Sequence, residues 1–197
     1  VSIRIEVVDD ERWPDLVTLF GPSGAYSGCW CMWWRVPSKE FQANGNAGNR
    51  RALESLTRSG EPVGLLAYAD AVPVGWAALA PRRAYARILR SPALKPDPGD
   101  PGDGAPDAGV WSVPCLFIDR RHRGRGVATA LLQAAPKVAR KAGARVLEAY
   151  PVDTSGEDRK FANAELYTGT VSLMTRLGFT VHKRPPTGRR LVMRRAL

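Results

Sequence analysis

Nowhere does the chain run to the roughly 18 consecutive apolar residues of a membrane-spanning helix. Its opening residues, VSIRIEVVDDERW, show no basic segment followed by an apolar one, so no secretory leader is expected and a cytoplasmic location is. Histidine occurs only twice, and cysteine only as Cys29, Cys31 and Cys115. Cys29 and Cys31 are too few and too close for a complete zinc set and no nearby His completes it, so no metal is expected, and an odd number of thiols fits a reducing compartment better than a disulfide framework. Acidic residues are scarce too: 19 against 29 Lys and Arg give a net charge of +10. The excess favours anionic partners without naming one. What remains is ordinary globular composition, 44% hydrophobic and 24% charged over 197 residues, and a single domain spanning 1–197 is expected.

Periodicity divides the chain. SIRIEVV alternates as a strand does, and Asp9 or Asp10 is placed to cap an amphipathic helix over residues 11–20. GPSGAYSG breaks that helix, CWCMWWR follows, and residues 46–60 read as a second helix ended by glycine. PVGLLAYA and PVGWAALAP flank a tight turn at Asp70 and Ala71, predicting a β-hairpin. Residues 92–109, dominated by Pro, Gly and Asp, predict a mobile loop that buries no apolar surface. VWSVPCLFI is apolar throughout, like a strand covered on both faces, with Pro114 predicting a bulge. A helix from Val127 to about Ala142, with a kink at Pro136, and the strand RVLEAYPV complete a strand-helix-strand unit with a parallel crossover. TGTVSLMTRLGF gives a last helix, and FTVHKR and RRLVMRRA a closing antiparallel pair around PPTG.

Between the central strand and its helix lies RRHRGRGVATALLQ. A glycine-rich turn there aims the unpaired first-turn amides outward together, and the helix dipole adds positive charge. Such a turn is an anion site, because glycine lets an oxyanion approach the main chain and arginine supplies charge-assisted bonds. Neither the Walker pattern nor G-x-G-x-x-G is present, so a phosphorylated ligand is expected without the usual nucleotide motifs.

LFIDRRHRGRGVATALL resembles the acyl-CoA-binding motif of the GNAT superfamily of N-acetyltransferases: Arg or Gln, two residues, Gly, one residue, Gly or Ala, met by Arg123, Gly126 and Ala128. The order of elements is similar to that fold over nearly the whole chain. The resemblance implies an α/β (α+β) fold: a mixed, mostly antiparallel central sheet with a parallel strand-helix-strand core and flanking helices. It also implies an acyl-CoA-dependent N-acetyltransferase moving an acetyl group from acetyl-CoA to a primary amine by direct attack in a ternary complex. Main-chain amides of Arg123, Gly124, Arg125, Gly126, Val127, Ala128 and Thr129 would hold the CoA pyrophosphate, and Leu116, Phe117 and Ile118 would pair with the pantetheine arm like an added strand.

The chain departs from the family where a tyrosine commonly donates the proton to the departing thiolate, since that slot, four residues before Gly178, holds Met174. Tyr167, in the preceding slot, is the candidate acid, with packing as its other reading. Glu148, inside a predicted central strand, is the candidate base, with a structural ion pair as the alternative. Cys115 lies near the expected thioester, where a nucleophilic thiol would suit a ping-pong route and a small buried thiol is the plainer reading. Trp30, Trp33 and Trp34 either roof the core or wall an acceptor pocket, which would suit an amine with apolar or cationic surface. The expected partner is a small-molecule or peptide amine, with no membrane. A CoA-binding regulatory module without turnover stays open, as does a basic nucleic-acid binder using HKRPPTGRRLVMRRA, although no nucleic-acid motif is present and nucleic acid is not expected.

Overall fold

A computed structural model describes residues 2–100, 109–155, 161–162 and 164–197. One four-stranded sheet has the order β1-β2-β3-β6, from β1 (Ile3–Val7), β2 (Gly64–Ala69), β3 (Val72–Ala78) and β6 (Leu116–Ile118), and is antiparallel throughout. A second has the order β4-β5-β7-β9-β8, from β4 (Ala80–Pro81), β5 (Val110–Val113), β7 (Val146–Ala149), β8 (Thr180–Lys183) and β9 (Val192–Ala196). Among the described strands of the two sheets only β5 and β7 pair in parallel, joined by helix α4 (Val127–Lys141), as the strand-helix-strand pattern predicts. The hairpin of β2 and β3 turns on Asp70 and Ala71, both at positive φ (49° and 68°), the conformation whose twist matches the flanking strands.

Position matters most where one apolar stretch changes sheets. β5 pairs with β7 in register from Val110 opposite Val146 to Val113 opposite Ala149. Pro114, lacking an amide hydrogen, interrupts the ladder, and the chain resumes as β6 against β3, with Phe117 opposite Trp76. β6 therefore leaves β7 at the bulge, and the two strands open a wedge. Helix α4 lies over β3 where Gly75 leaves room: a Cβ there would come within 2.5 Å of Val127 Cγ1. The apolar face of α4, including Leu131, Leu132, Ala135 and Ala139, joins β2, β3, β5 and β7 in the largest core cluster. On the opposite side, α1 (Trp13–Phe20) and α2 (Ser38–Arg58) close over Leu66, Tyr68 and Trp76.

Two expectations need correction. The second helix begins at Ser38, eight residues before 46, and is broken at Gly45 (φ +56°). Its first turns, SKEFQAN, are too polar to show a helical apolar period. Of residues 92–109, those from 101 to 108 lie outside the described residues, and those before them are anchored. Leu94 is buried with Trp34, Tyr85 and Tyr150, Lys183 Nζ reaches the Lys95 carbonyl at 3.1 Å, and Arg194 grips both Asp100 oxygens at 2.7 and 2.6 Å. A short helix, α3 (Ala86–Arg90), precedes this arm and has no counterpart in the sequence reading.

Candidate active site

The anion turn is built as its glycines require. Asp119 closes a short 3-10 turn by accepting from the Arg121 amide at 2.8 Å. Its carboxyl is held down to about 2, chiefly by the Arg121 side chain, against the opposing effect of burial. Gly124 (φ +70°) and Gly126 (φ +80°) then reverse the chain into α4. A Cβ on either would meet nothing within 4 Å, so the turn faces open space. Among the described residues the first main-chain bond of the helix start runs from Ala130 N–H to Gly126 O, and no side chain caps the helix. The amides of Val127, Ala128 and Thr129 are left pointing outward, as an oxyanion needs.

The wedge opens beside this turn. Ala78 N–H donates to the Cys115 carbonyl and Asp119 N–H to the Val74 carbonyl, both at 2.9 Å. By strand alternation the main chain of Phe117 also faces β3, while that of Leu116 and Ile118 faces the wedge. The expectation for Phe117 is corrected accordingly: its main chain belongs to the sheet. Leu116 N–H already donates to the Tyr167 carbonyl at 2.6 Å, and the Ile118 carbonyl accepts from Arg123 Nε at 3.2 Å. Farther along the same segment, the Gly169 carbonyl accepts from Val152 N–H at 2.9 Å. Residues 167–169 thus bridge the parted strands.

On the far side of Tyr167 lies a cavity of about 530 Å3. Four segments wall it: Trp33, Trp34, Pro37 and Ser38; Arg87, Arg90, Ser91, Ala93 and Leu94 from α3 and the arm; Tyr167; and residues 187–190 at the tip of the β8-β9 hairpin. Trp33 and Trp34 line it. Trp30 does not. It is buried against Trp13 and Phe20 with its indole nitrogen on Asn46 Oδ1 at 2.6 Å, so it roofs the core. The Arg87 guanidinium lies 3.7 Å from the Trp33 ring centre and that of Arg190 5.1 Å from the Tyr167 ring centre. Arg87 also donates to the Val36 carbonyl (3.0 Å) and Ser38 Oγ (2.8 Å). Desolvation lowers its basicity, against the opposing influence of Tyr167 and Cys29. Burial pushes the Tyr167 hydroxyl up to about 12, with Arg190 pulling the other way. Sequence reasoning missed the arginine walls; the doublet Arg189–Arg190 was visible only as part of a basic tail.

Glu148 lies behind this cavity. Its carboxylate accepts from Arg194 Nε (2.7 Å), Arg82 Nη1 (3.2 Å) and the Tyr150 hydroxyl (2.6 Å), with Glu148 and Arg82 both fully buried. The structural ion pair is what the structure shows. Tyr150 stacks on Trp34 and links this network to the cavity wall. Met174 is buried in the core cluster under α4. The Cys115 sulfur sits 3.3 Å from that of Cys31, which itself receives the Trp76 indole N–H at 2.9 Å. The contact with Cys31, then burial, raises the Cys115 thiol well above its ordinary range. His122 and His182 are held by Asp119 and Asp100 at the periphery. No group of three or more potential metal ligands, and no helix long and apolar enough to cross a membrane, occurs among the described residues.

The acetyltransferase (GNAT) family model matches residues 30–163. The PaiA N-acetyltransferase of Thermoplasma acidophilum, solved with coenzyme A, superposes at a TM-score of 0.55 with 16% identity over 100% of both chains. A GCN5-related N-acetyltransferase from Kribbella flavida gives 0.54 and 22% over 99% of this chain and 98% of its own. YncA from Salmonella typhimurium, solved with its cofactor acetyl-CoA, gives 0.53 and 17% over 100% of this chain and 95% of its own. At these identities the likeness is one of fold. A search of the curated proteins matched none to the chain.

Proposed function

Since the chain belongs to the acetyltransferase (GNAT) family, we propose that it transfers an acetyl group from acetyl-CoA to a primary amine by direct attack in a ternary complex. The observation that carries this reading is the double position of Tyr167, whose carbonyl accepts from Leu116 in the wedge while its ring lines the cavity. One residue therefore touches both the place for a donor and the place for an acceptor.

The residues present fit CoA. The outward amides of Val127, Ala128 and Thr129, with Gly124 and Gly126 leaving the turn open, suit the pyrophosphate, and Arg123, Arg125 and the start of α4 add positive charge. The Leu116 carbonyl and Ile118 amide, facing the wedge, suit the pantetheine arm. Acetyl-CoA supplies a thioester whose acetyl carbon bonds to nitrogen as its bond to sulfur breaks. One proton must leave the amine and one must reach the sulfur. Tyr167, kept protonated by burial, is the group placed to deliver the second. Cys115, its thiol held protonated against Cys31, is a poor nucleophile, which favours direct attack over an acetyl-enzyme.

The test has two arms. CoA at about a hundred times its Kd should stabilise the fold by about 2.7 kcal/mol, read as a rise in Tm. Acetyl-CoA with an amine library should release free thiol only when a suitable amine is present. No shift at saturating CoA would overturn the donor site. A clear shift without thiol release from any amine would leave a binding module without turnover.

A further inference from the structure

The cavity beyond Tyr167 is unbalanced in charge. Arg87, Arg90 and Arg190 line it, and none of the three pairs with a carboxylate among the described residues. No described lining residue is acidic. Within the acetyl-transfer reading above, on which this depends, we infer that the acceptor is an amine carrying its own carboxylate, held by these arginines, with an apolar or aromatic body against Trp33 and Trp34.

Three observations converge. First, the aromatic faces that would attract a cationic acceptor are already engaged: Arg87 covers Trp33 at 3.7 Å and Arg190 lies over Tyr167 at 5.1 Å. That leaves less aromatic face for a cationic acceptor and favours the apolar alternative. Second, Trp34 Nε1, Arg87 Nη2 and Arg190 Nε are buried nitrogens without a hydrogen-bond partner. All three are N–H groups that only donate, and a buried donor left unmade costs about 1–3 kcal/mol. The lining arginines as a whole likewise offer donors and no acceptor, and a carboxylate presents two oxygens in the geometry a guanidinium favours. Third, about 530 Å3 is a volume for a small molecule, of amino-acid size or a short conjugate.

The same charge also serves the reaction. Positive groups near a bound ammonium disfavour its charged form and promote release of its proton. A neutral amine is what attacks a thioester. The arginines thus attract the molecule through its carboxylate while lowering the affinity of its nitrogen for a proton, which passes to solvent, so that no lining carboxylate is needed as base.

The experiment uses the full chain with acetyl-CoA and matched acceptors: phenylalanine, phenylalaninamide, phenethylamine and the aminophosphonate analogue of phenylalanine. Thiol release should show a KM for the carboxylate at least about ten-fold below that for the amide, the worth of one charge-assisted hydrogen bond. Arg190→Met, and separately the exposed Arg90→Met, should bring the acid-to-amide ratio of kcat/KM towards one, chiefly through KM. The exposed position of Arg90 keeps that variant informative if Arg190→Met fails to fold. Amide or simple amine turned over as well as the acid would overturn the inference and leave acetyl transfer standing. Preference for the phosphonate would also overturn the carboxylate assignment. Stabilisation by CoA with no thiol release from any acceptor would remove the acetyl-transfer reading itself.

Discussion

Leu116 donates its amide to the carbonyl of Tyr167 at 2.6 Å, across the wedge that opens where β6 turns away from β7. The bond fixes a tyrosine on the border of two spaces that a transferase must connect. It also orients the side chain indirectly: with the backbone held, the ring lies between Trp34, at 6.3 Å centre to centre, and the Arg190 guanidinium.

Tyr167→Phe keeps the backbone bond and the ring and removes only the hydroxyl. Loss of a general acid should lower kcat about a hundred-fold, while the rise in Tm on adding CoA is retained. Because the hydroxyl titrates at about 12, it stays protonated through neutral and mildly alkaline pH and should contribute no falling limb to kcat there. Equal kcat for Tyr and Phe would remove the acid role and leave packing.

Glu148→Gln separates base from brace. Removing the charge leaves Arg82 and Arg194 facing a neutral amide in a buried site, a change that typically costs about 3–5 kcal/mol. Urea unfolding should report that loss, and the pH dependence of kcat/KM should keep its shape. A variant of normal stability whose rate no longer rises with pH would instead restore Glu148 as the base.

The cysteines should be quiet. Burial and the neighbouring Cys31 push Cys29 up to about 12, and Cys115 is raised by its contact with Cys31 and by burial. Both thiols therefore stay protonated at pH 8, and iodoacetamide should label them far more slowly in the folded chain than after denaturation. Cys115→Ser should keep most of the activity. Stoichiometric acetylation of Cys115 on mixing with acetyl-CoA alone, seen by intact mass, would sink direct attack.

Much of the glycine turn and of the wedge beside it was legible in the sequence. Gly124 and Gly126 sit between an apolar strand and an amphipathic helix, a local pattern in which spacing alone dictates outward amides, and Pro114 announced the bulge. The parallel unit followed from element order. The cavity beyond Tyr167 was not legible because it is assembled from distant segments. Arg87 and Arg90 lie on a five-residue helix too short for a period to show, and Arg190 on a hairpin tip. Trp30, Trp33 and Trp34 could not be told apart because their loop follows neither period. Trp30 and Cys31 both take positive φ (45° and 52°), which sends one indole into the core and the next two towards the cavity. Leu94 was lost in a stretch of Pro, Gly and Asp whose composition hid one apolar anchor.

The tip of the β8-β9 hairpin carries Thr187, Gly188, Arg189 and Arg190 into the wall of the cavity proposed for the acceptor, yet the glycine turn and the wedge edge proposed for CoA come from other parts of the chain. Hairpin loops tolerate changes of length and residue that strands do not. Selection could therefore retune which molecules are accepted by editing four residues at one rim, with the machinery that grips the donor inherited intact. Swapping that rim between related chains would be the most economical way to exchange their preferences.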